Sequence, residues 1–125
     1  MLGQDNIMSL LKDLKERHAS VEACMVARRG LEGLIMFPES FKQDVGVFWE
    51  PLSRNLNDVL IMVGKYGSLG QKRLYSEIFG YGMLFLVVEM SDTALVVFIK
   101  GERPLAGIGG LLDDMEATKD NIVAG

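Results

Sequence analysis

The chain has 125 residues, of which 49% are hydrophobic and 24% are charged, and its formal net charge is −4. This length suits one domain, residues 1–125, with an apolar core of its own. An acidic chain gains little from counterion release, which argues against nucleic acid as the partner. The longest unbroken apolar run, Met83–Val88, is far shorter than the ~20 residues that a membrane-spanning helix needs.

The reactive side chains are too few for most enzyme classes. There is one histidine, His18, and one cysteine, Cys24, whereas nucleophile–base pairs and metal sites usually draw on clusters of such residues. A lone cysteine cannot form an internal disulfide, which fits a reducing compartment. We therefore expect a cytoplasmic protein that is not an enzyme and has no cofactor, catalytic residue or metal site. His18 should lie at the surface or cap a helix, and Cys24 should lie in or near the core.

The first third of the chain predicts a helix followed by a β-hairpin. Apolar residues at helical spacing predict an amphipathic helix over about 5–18. From Val21 to Ala27 the odd-numbered residues share one side of a strand. Gly30 permits the positive φ of a tight turn, and Leu31–Phe37 is the returning strand, which Pro38 ends.

The middle of the chain predicts one long amphipathic helix over 40–66. Ser40 and Gln43 have the spacing of a capping box at its start, and Pro51 predicts a kink or a restart. The segment Val59–Val63 also has the composition of a buried strand. Helix is favoured because the apolar stripe stays in phase over the whole segment.

The last third predicts three strands and a closing helix. The strands are Arg73–Phe79, Met83–Met90 and Thr93–Ile99, and the middle one is apolar enough to need cover on both faces. Pro104 can begin the closing helix, with Leu105 on its apolar stripe. The predicted fold class is therefore α+β: a five-stranded antiparallel sheet between helices, in the order helix-strand-strand-helix-strand-strand-strand-helix, with the long helix alone on one face.

Two charged clusters predict solvated surface. The acidic side chains between residues 113 and 120 lack the order of a calcium loop and indicate a solvated helix face. Arg28 and Arg29 at the hairpin turn also indicate solvated surface. Some proteins stimulate nucleotide hydrolysis by inserting an arginine from an exposed loop into the active site of a partner. Arg28 and Arg29 are weak candidates for that role, because they lie at such a turn.

The order of elements resembles the Roadblock / dynein light-chain domain family, whose relatives include longin and profilin-like folds. Three stretches carry the resemblance: Val26-Ala27-Arg28-Arg29-Gly30-Leu31, the long helix 40–66, and the meander from Leu74 to Ile99. The resemblance implies a domain that pairs with itself or a sister subunit through the third strand and the long helix. It further implies a scaffold or regulator for a Ras-like small GTPase, or an accessory subunit of a motor complex.

The long helix independently predicts assembly. Ile61 and Met62 lie off its apolar stripe, so the segment around them is apolar on every face and needs cover on every face. Either a second copy or the closing helix would supply that cover, and we favour the second copy. If Phe48 is buried in that contact, its truncation to alanine should cost about 3–5 kcal/mol. The predicted assembly surface comprises Val47, Phe48, Leu52, Leu56, Ile61, Met62, Leu74 and Tyr75.

Two alternatives from other classes remain open. One is a longin-, profilin- or PAS-like sensing module that holds a small apolar molecule between sheet and helix, for which a cavity is the discriminating feature. The other is an accessory subunit of a larger motor or signalling complex. If the partner is instead an unlike Roadblock-type subunit, the chain should be insoluble or unstable when it is produced alone.

Overall fold

The chain folds as one antiparallel sheet of five strands with helices on both of its faces. The computed structural model describes residues 3–28, 30–31, 33–66, 73–78, 81–87, 93–100 and 109–124. Its elements in chain order are α1 (Gln4–Arg17), β1 (Val21–Arg28), β2 (Ile35–Phe37), α2 (Phe41–Val45), a 3-10 turn (Gly46–Phe48), α3 (Trp49–Tyr66), β3 (Arg73–Ile78), β4 (Tyr81–Val87), β5 (Thr93–Lys100) and α4 (Gly109–Ala124). The predicted fold class is confirmed.

The strand order is β2-β1-β5-β4-β3, so the sheet has β2 and β3 as its outer strands. The central pair, β1 and β5, runs antiparallel from Val21 opposite Ile99 to Arg28 opposite Thr93. An outer strand leaves about half of its backbone N–H and C=O groups pointing away from the sheet. The two ends of this order are therefore the places where the sheet can be extended.

Strand boundaries differ from the sequence prediction mainly in the hairpin. The returning strand is only Ile35–Phe37 instead of Leu31–Phe37, because Leu31 has a positive φ of 59° that is incompatible with extended strand backbone. β4 begins two residues earlier than predicted, at Tyr81. Phe79 and the predicted continuation of the fourth strand to Met90 lie outside the described residues.

A bulge in β1 changes which side chains share a face. Strict alternation would place Val21 beside Ala23, but the register shifts between these two residues. Val21 consequently packs with Cys24 on the face that α1 and α4 cover, whereas Ala23 and Met25 pack under α3. The grouping predicted for Val21 was wrong for this reason.

The long helical segment is broken, although not at Pro51. The break is the 3-10 turn, where Gly46 ends α2 with a positive φ of 65°. Pro51 lies in the first turn of α3, where the backbone N–H that it lacks would have had no helical acceptor. The predicted capping box is also wrong, since the Ser40 hydroxyl donates instead to Oδ2 of Asp44 at 3.3 Å. Residues 59–63 are helical, as favoured.

The closing helix lies on the opposite face of the sheet from α3. Leu111, Met115 and Ile122 of α4 pack in the same cluster as Leu11 and Leu14 of α1. The alternative in which the closing helix covers α3 is therefore wrong. Its predicted start, Pro104, and the stripe residue Leu105 lie outside the described residues. Within the described part of the chain, helices that could cross a bilayer are absent.

Candidate interaction surface

The inner face of α3 belongs to the core of the monomer. Leu52, Leu56 and Leu60 are fully buried, and they pack against strand side chains such as Met25 and Phe98. Leu52 and Leu56 were predicted to form part of the assembly surface. Since neither side chain exposes any area, both belong to the core and not to an assembly surface. The reason is that the face of α3 that carries them points toward the sheet.

Two asparagines show how the flanks of α3 are oriented. The backbone N–H of Gly30 donates to Oδ1 of Asn57 at 2.7 Å, so one flank faces the turn between β1 and β2. The Ser76 hydroxyl lies 3.5 Å from Oδ1 of Asn55, so the other flank faces β3. Met62 follows Asn55 by two helical turns and therefore shares the flank next to the outer strand β3.

Three apolar side chains of this region are exposed: Val47 by 87%, Phe48 by 50% and Met62 by 44%. The 3-10 turn takes Val47 and Phe48 out of the apolar stripe that an unbroken helix would have continued. Ile61 is half-buried. At a rise of 1.5 Å per residue, Phe48 and Met62 are separated by roughly 20 Å along the helix. We call these four residues the α3 surface; it consists of one apolar site at each end of the helix.

The outer strand β3 places its two predicted residues on opposite faces. Leu74 packs against the core under α3, and Tyr75 packs against the core under α1 and α4, so both are half-buried. The Tyr75 hydroxyl donates to Oε2 of Glu77 at 3.3 Å, and burial together with that carboxylate raises the pKa of Tyr75. What β3 offers to a partner is therefore mainly its backbone edge, flanked by the charges of Arg73 and Glu77.

The turn after β1 is held against α3. Leu31 donates its backbone N–H to the carbonyl of Arg28 at 2.8 Å, and Gly30, with a φ of 87°, is bound by Asn57. Arg28 is exposed at the end of β1, and Arg29 lies outside the described residues. The tether through Asn57 was not found from the sequence, because a helical asparagine that binds a turn has the same local pattern as a solvated one.

Two of the acidic side chains of α4, Asp114 and Glu116, pair with side chains of other elements, whereas Asp113 and Asp120 are exposed as predicted. Oδ2 of Asp114 lies 2.5 Å from Nε2 of His18 and 3.4 Å from Nε of Arg17, which joins α4 to the end of α1. Oε1 of Glu116 accepts from Nη2 of Arg73 at 2.9 Å, which joins α4 to β3. His18 follows the last residue of α1 as its cap, as expected.

These contacts predict that acid weakens the ion pairs between α4 and the rest of the chain, and so lowers the stability of the fold. The hydrogen bond with His18 lowers the pKa of Asp114, and those with Lys119 and Arg73 lower that of Glu116. A lowered folded-state pKa stabilises the fold above the ordinary carboxyl pKa of ~4, and this contribution disappears as pH falls through the lowered value. We expect Asp114→Asn to reduce the urea midpoint at pH 6 and to have almost no effect near pH 2. An equal effect at both pH values would contradict the assignment.

The cysteine is predicted to be chemically inert in the folded chain. Cys24 is fully buried in the core under α1 and α4, and burial raises its pKa to about 12. Only about 1 in 10⁴ molecules would carry the reactive thiolate at pH 8. Iodoacetamide at pH 8 should therefore leave the native chain unlabelled over the time in which the urea-unfolded chain reacts completely. Labelling at similar rates, measured by mass spectrometry, would contradict this burial.

Among the residues that the structure describes, no three histidine, cysteine or acidic side chains form a group that could hold a metal ion. A groove of about 220 Å³ is present, and it lies at the β2 edge next to Met8, Met36 and Lys42. It is not between the sheet and α3, and it is smaller than the ~300–1,000 Å³ typical of small-molecule sites. The sensing-module alternative gains no support from this groove.

The sheet order, with α2 and α3 on one face and α1 and α4 on the other, is that of the Roadblock/longin fold, which confirms at the level of fold the resemblance found in the sequence. The chain is similar to a solved structure of MglB from Myxococcus xanthus, with a TM-score of 0.68 over 99% of this chain and 91% of that chain. The two sequences are 14% identical, so the likeness establishes the fold. No family model and no curated protein matches the sequence.

Proposed function

We propose that the chain is a non-catalytic, dimeric scaffold or regulator that binds a Ras-like small GTPase in the cytoplasm. The Roadblock-type fold supports this proposal, since that family pairs its domains and presents the pair to small GTPases. The observation that carries it is the α3 surface: Val47 and half of Phe48 in the turn before α3, and Met62 on α3, are exposed, while the inner face of α3 packs against the core. Neighbouring exposed apolar side chains are typical of contact sites where they form a contiguous patch, and each end of the α3 surface is such a pair.

The proposed dimer joins two features that lie on the same side of the molecule. The α3 flank that carries Met62 faces β3, and β3 has a backbone edge available for pairing. If two copies pair their β3 edges antiparallel, their α3 helices lie next to each other. Val47 and Phe48, before α3 in one copy, then contact Ile61 and Met62 of α3 in the other, because opposite ends meet in an antiparallel pair. Leu74 and Tyr75 would support the edge from either face.

The GTPase partner is proposed from the family resemblance and from one local feature. Arg28 ends β1 on a turn that Asn57 ties to α3, and Arg29 follows it in sequence. An arginine delivered in trans to a hydrolysing nucleotide comes from an ordered, accessible loop of this type. Under this proposal the two arginines are the residues to substitute first if the chain accelerates GTP hydrolysis.

A pull-down from cells of the source organism tests the partner. The tagged chain should retain a protein of small-GTPase size that binds GTP, identified by mass spectrometry and by binding of a fluorescent GTP analogue. A matched bait with Val47→Glu and Met62→Glu separates α3-dependent partners from background, and its circular dichroism should equal that of the unmodified chain. Recovery of no GTP-binding protein by the unmodified bait, at several salt concentrations, would contradict the proposal.

A further inference from the structure

The charges of the outer strand β3 are arranged symmetrically about its middle. Arg73 and Glu77 each lie two residues from Tyr75, so these three side chains point to the same face of the strand. It is the face that α1 and α4 cover, because Tyr75 packs against the core on that side. A strand with a base and an acid at equal distances from its centre is complementary in charge to an antiparallel copy of itself.

Both charged side chains can bind a further partner. Arg73 donates from Nε and Nη2 to Oε1 of Glu116, at 3.2 and 2.9 Å, and its guanidinium has more N–H donors than these two bonds use. The Arg73 side chain is still 55% exposed. Glu77 is exposed and accepts the Tyr75 hydroxyl at Oε2, which leaves its other carboxylate oxygen to accept from a cation.

Strand geometry restricts the registers that two β3 strands can adopt. Residues directly opposite each other in antiparallel strands point to the same face, and a slip of one residue would break this match. In a symmetric pair one residue therefore lies opposite its own copy, on the twofold axis. With Tyr75 on the axis, Arg73 lies opposite Glu77 of the other copy. With Leu74 or Ser76 there, one charge lies opposite Tyr75 and the other lies opposite a residue beyond the strand.

We propose that β3 pairs with β3 of a second copy in the register that places Tyr75 on the twofold axis, so that Arg73 of each copy binds Glu77 of the other. This inference rests on the dimer of the proposed function and adds its register and the charges that specify a second copy as the partner. The two ion pairs flank a contact between the two Tyr75 rings, on the face of α1 and α4. The apolar strand β2 offers no matching charges, so β3 is directed to another β3.

Disulfide crosslinking tests the register. Leu74→Cys, Tyr75→Cys and Ser76→Cys are made in the full chain, and the unmodified chain, whose Cys24 is fully buried, is the control that should not crosslink. Directly opposite residues are within reach of a disulfide, whereas residues two positions apart are not. We expect a disulfide dimer of Tyr75→Cys alone, or a mixed disulfide between Leu74→Cys and Ser76→Cys. These two contacts alternate between the closer and the wider spacing of an antiparallel pair, so at least one of them is within reach.

Two outcomes of the crosslinking separate the register from the dimer itself. If Leu74→Cys or Ser76→Cys crosslinks with itself faster than Tyr75→Cys does, the register is wrong while the dimer stands. The register is also wrong if the unmodified chain has the mass of two copies but neither expected disulfide forms. A mass of one chain for the unmodified protein, measured by light scattering, would contradict the proposed dimer and the register together.

Charge reversal tests the ion pairs. Glu77→Arg places two bases opposite each other on both sides of the axis, and Arg73→Glu places two acids there, so each variant should self-associate at least about tenfold more weakly. A mixture of the two variants should form a mixed dimer at least about tenfold more tightly than either forms its own, because every base then lies opposite an acid. Asp13→Arg, at an exposed position of α1, makes the same change in charge as Glu77→Arg and should leave self-association unchanged.

Sedimentation equilibrium measures these associations, and circular dichroism equal to that of the unmodified chain shows that each variant is folded. The proposal is overturned if the two folded variants show no preference for each other. It is also overturned if Asp13→Arg weakens self-association as much as Glu77→Arg does, since net charge and not the opposed pair would then be responsible.

Discussion

Replacement of Met62 by glutamate is expected to weaken self-association of the chain at least about tenfold, as measured by sedimentation equilibrium. Met62 exposes 44% of its surface on the α3 flank that faces β3, next to the edge at which we propose that two copies pair. In the proposed dimer a carboxylate at this position would lose much of its water against the apolar side chains of Val47 and Phe48 of the second copy. The cost of removing an unpaired charge from water is several kcal/mol, which exceeds the apolar contact that methionine supplies.

The matched control for Met62→Glu is Asn121→Asp, which adds the same charge at an exposed position on α4, on the opposite face of the sheet. It should leave self-association unchanged. Val47→Glu, at the other end of the α3 surface, should act in the same direction as Met62→Glu. If Asn121→Asp weakens association as much as Met62→Glu does, net charge and not the α3 surface is responsible, and the assignment of that surface fails.

Truncation of Leu56 to alanine should cost about 2–5 kcal/mol in the free energy of unfolding, because a large side chain would leave a cavity in a close-packed core. Leu56 is fully buried under α3 among side chains such as Met25 and Phe85. Chemical denaturation followed by circular dichroism measures the difference. The measurement is best made with Met62→Glu in both proteins, so that dissociation of a dimer does not contribute to the unfolding transition.

Phe48 provides the contrast to Leu56. The sequence alone predicted about 3–5 kcal/mol for Phe48→Ala on the condition that Phe48 is buried in the contact, but in one copy half of this side chain is exposed. In the same Met62→Glu background, its truncation should cost only about 1 kcal/mol of unfolding free energy. In the unmodified chain it should mainly weaken self-association. Similar unfolding losses for the Leu56 and Phe48 variants would contradict the division between core and surface.

The sequence predicts the fold well because its strands and helices have clear periodicity. The strand β1, the continuous apolar stretch of β4 and the helical stripe through Leu52, Leu56 and Val59 each follow from local pattern, and each is in the structure, although a bulge interrupts the alternation of β1. The same stripe does not show which of its residues belong to the core and which belong to a contact surface. A wide apolar stripe tells which residues avoid water, but not whether the sheet or a second molecule covers them.

The features that were missed depend on single residues acting over long distances. The break before α3 is set by Gly46 and not by Pro51, since a proline in a first helical turn is harmless and a left-handed glycine is not readable as such from its neighbours. The tether from Asn57 to Gly30 and the pairing of Asp114 with His18 join residues far apart in sequence. Periodicity carries no information on such contacts, so only the three-dimensional structure reveals them.

The central claim is that the exposed apolar residues of α3 are covered by a second copy of the chain, and the molar mass in solution tests it most directly. Light scattering coupled to size-exclusion chromatography, over a range of micromolar concentrations, should give twice the chain mass of 13.8 kDa. Met62→Glu should shift that mass toward a single chain. A mass of one chain at every concentration for the unmodified protein would contradict the account.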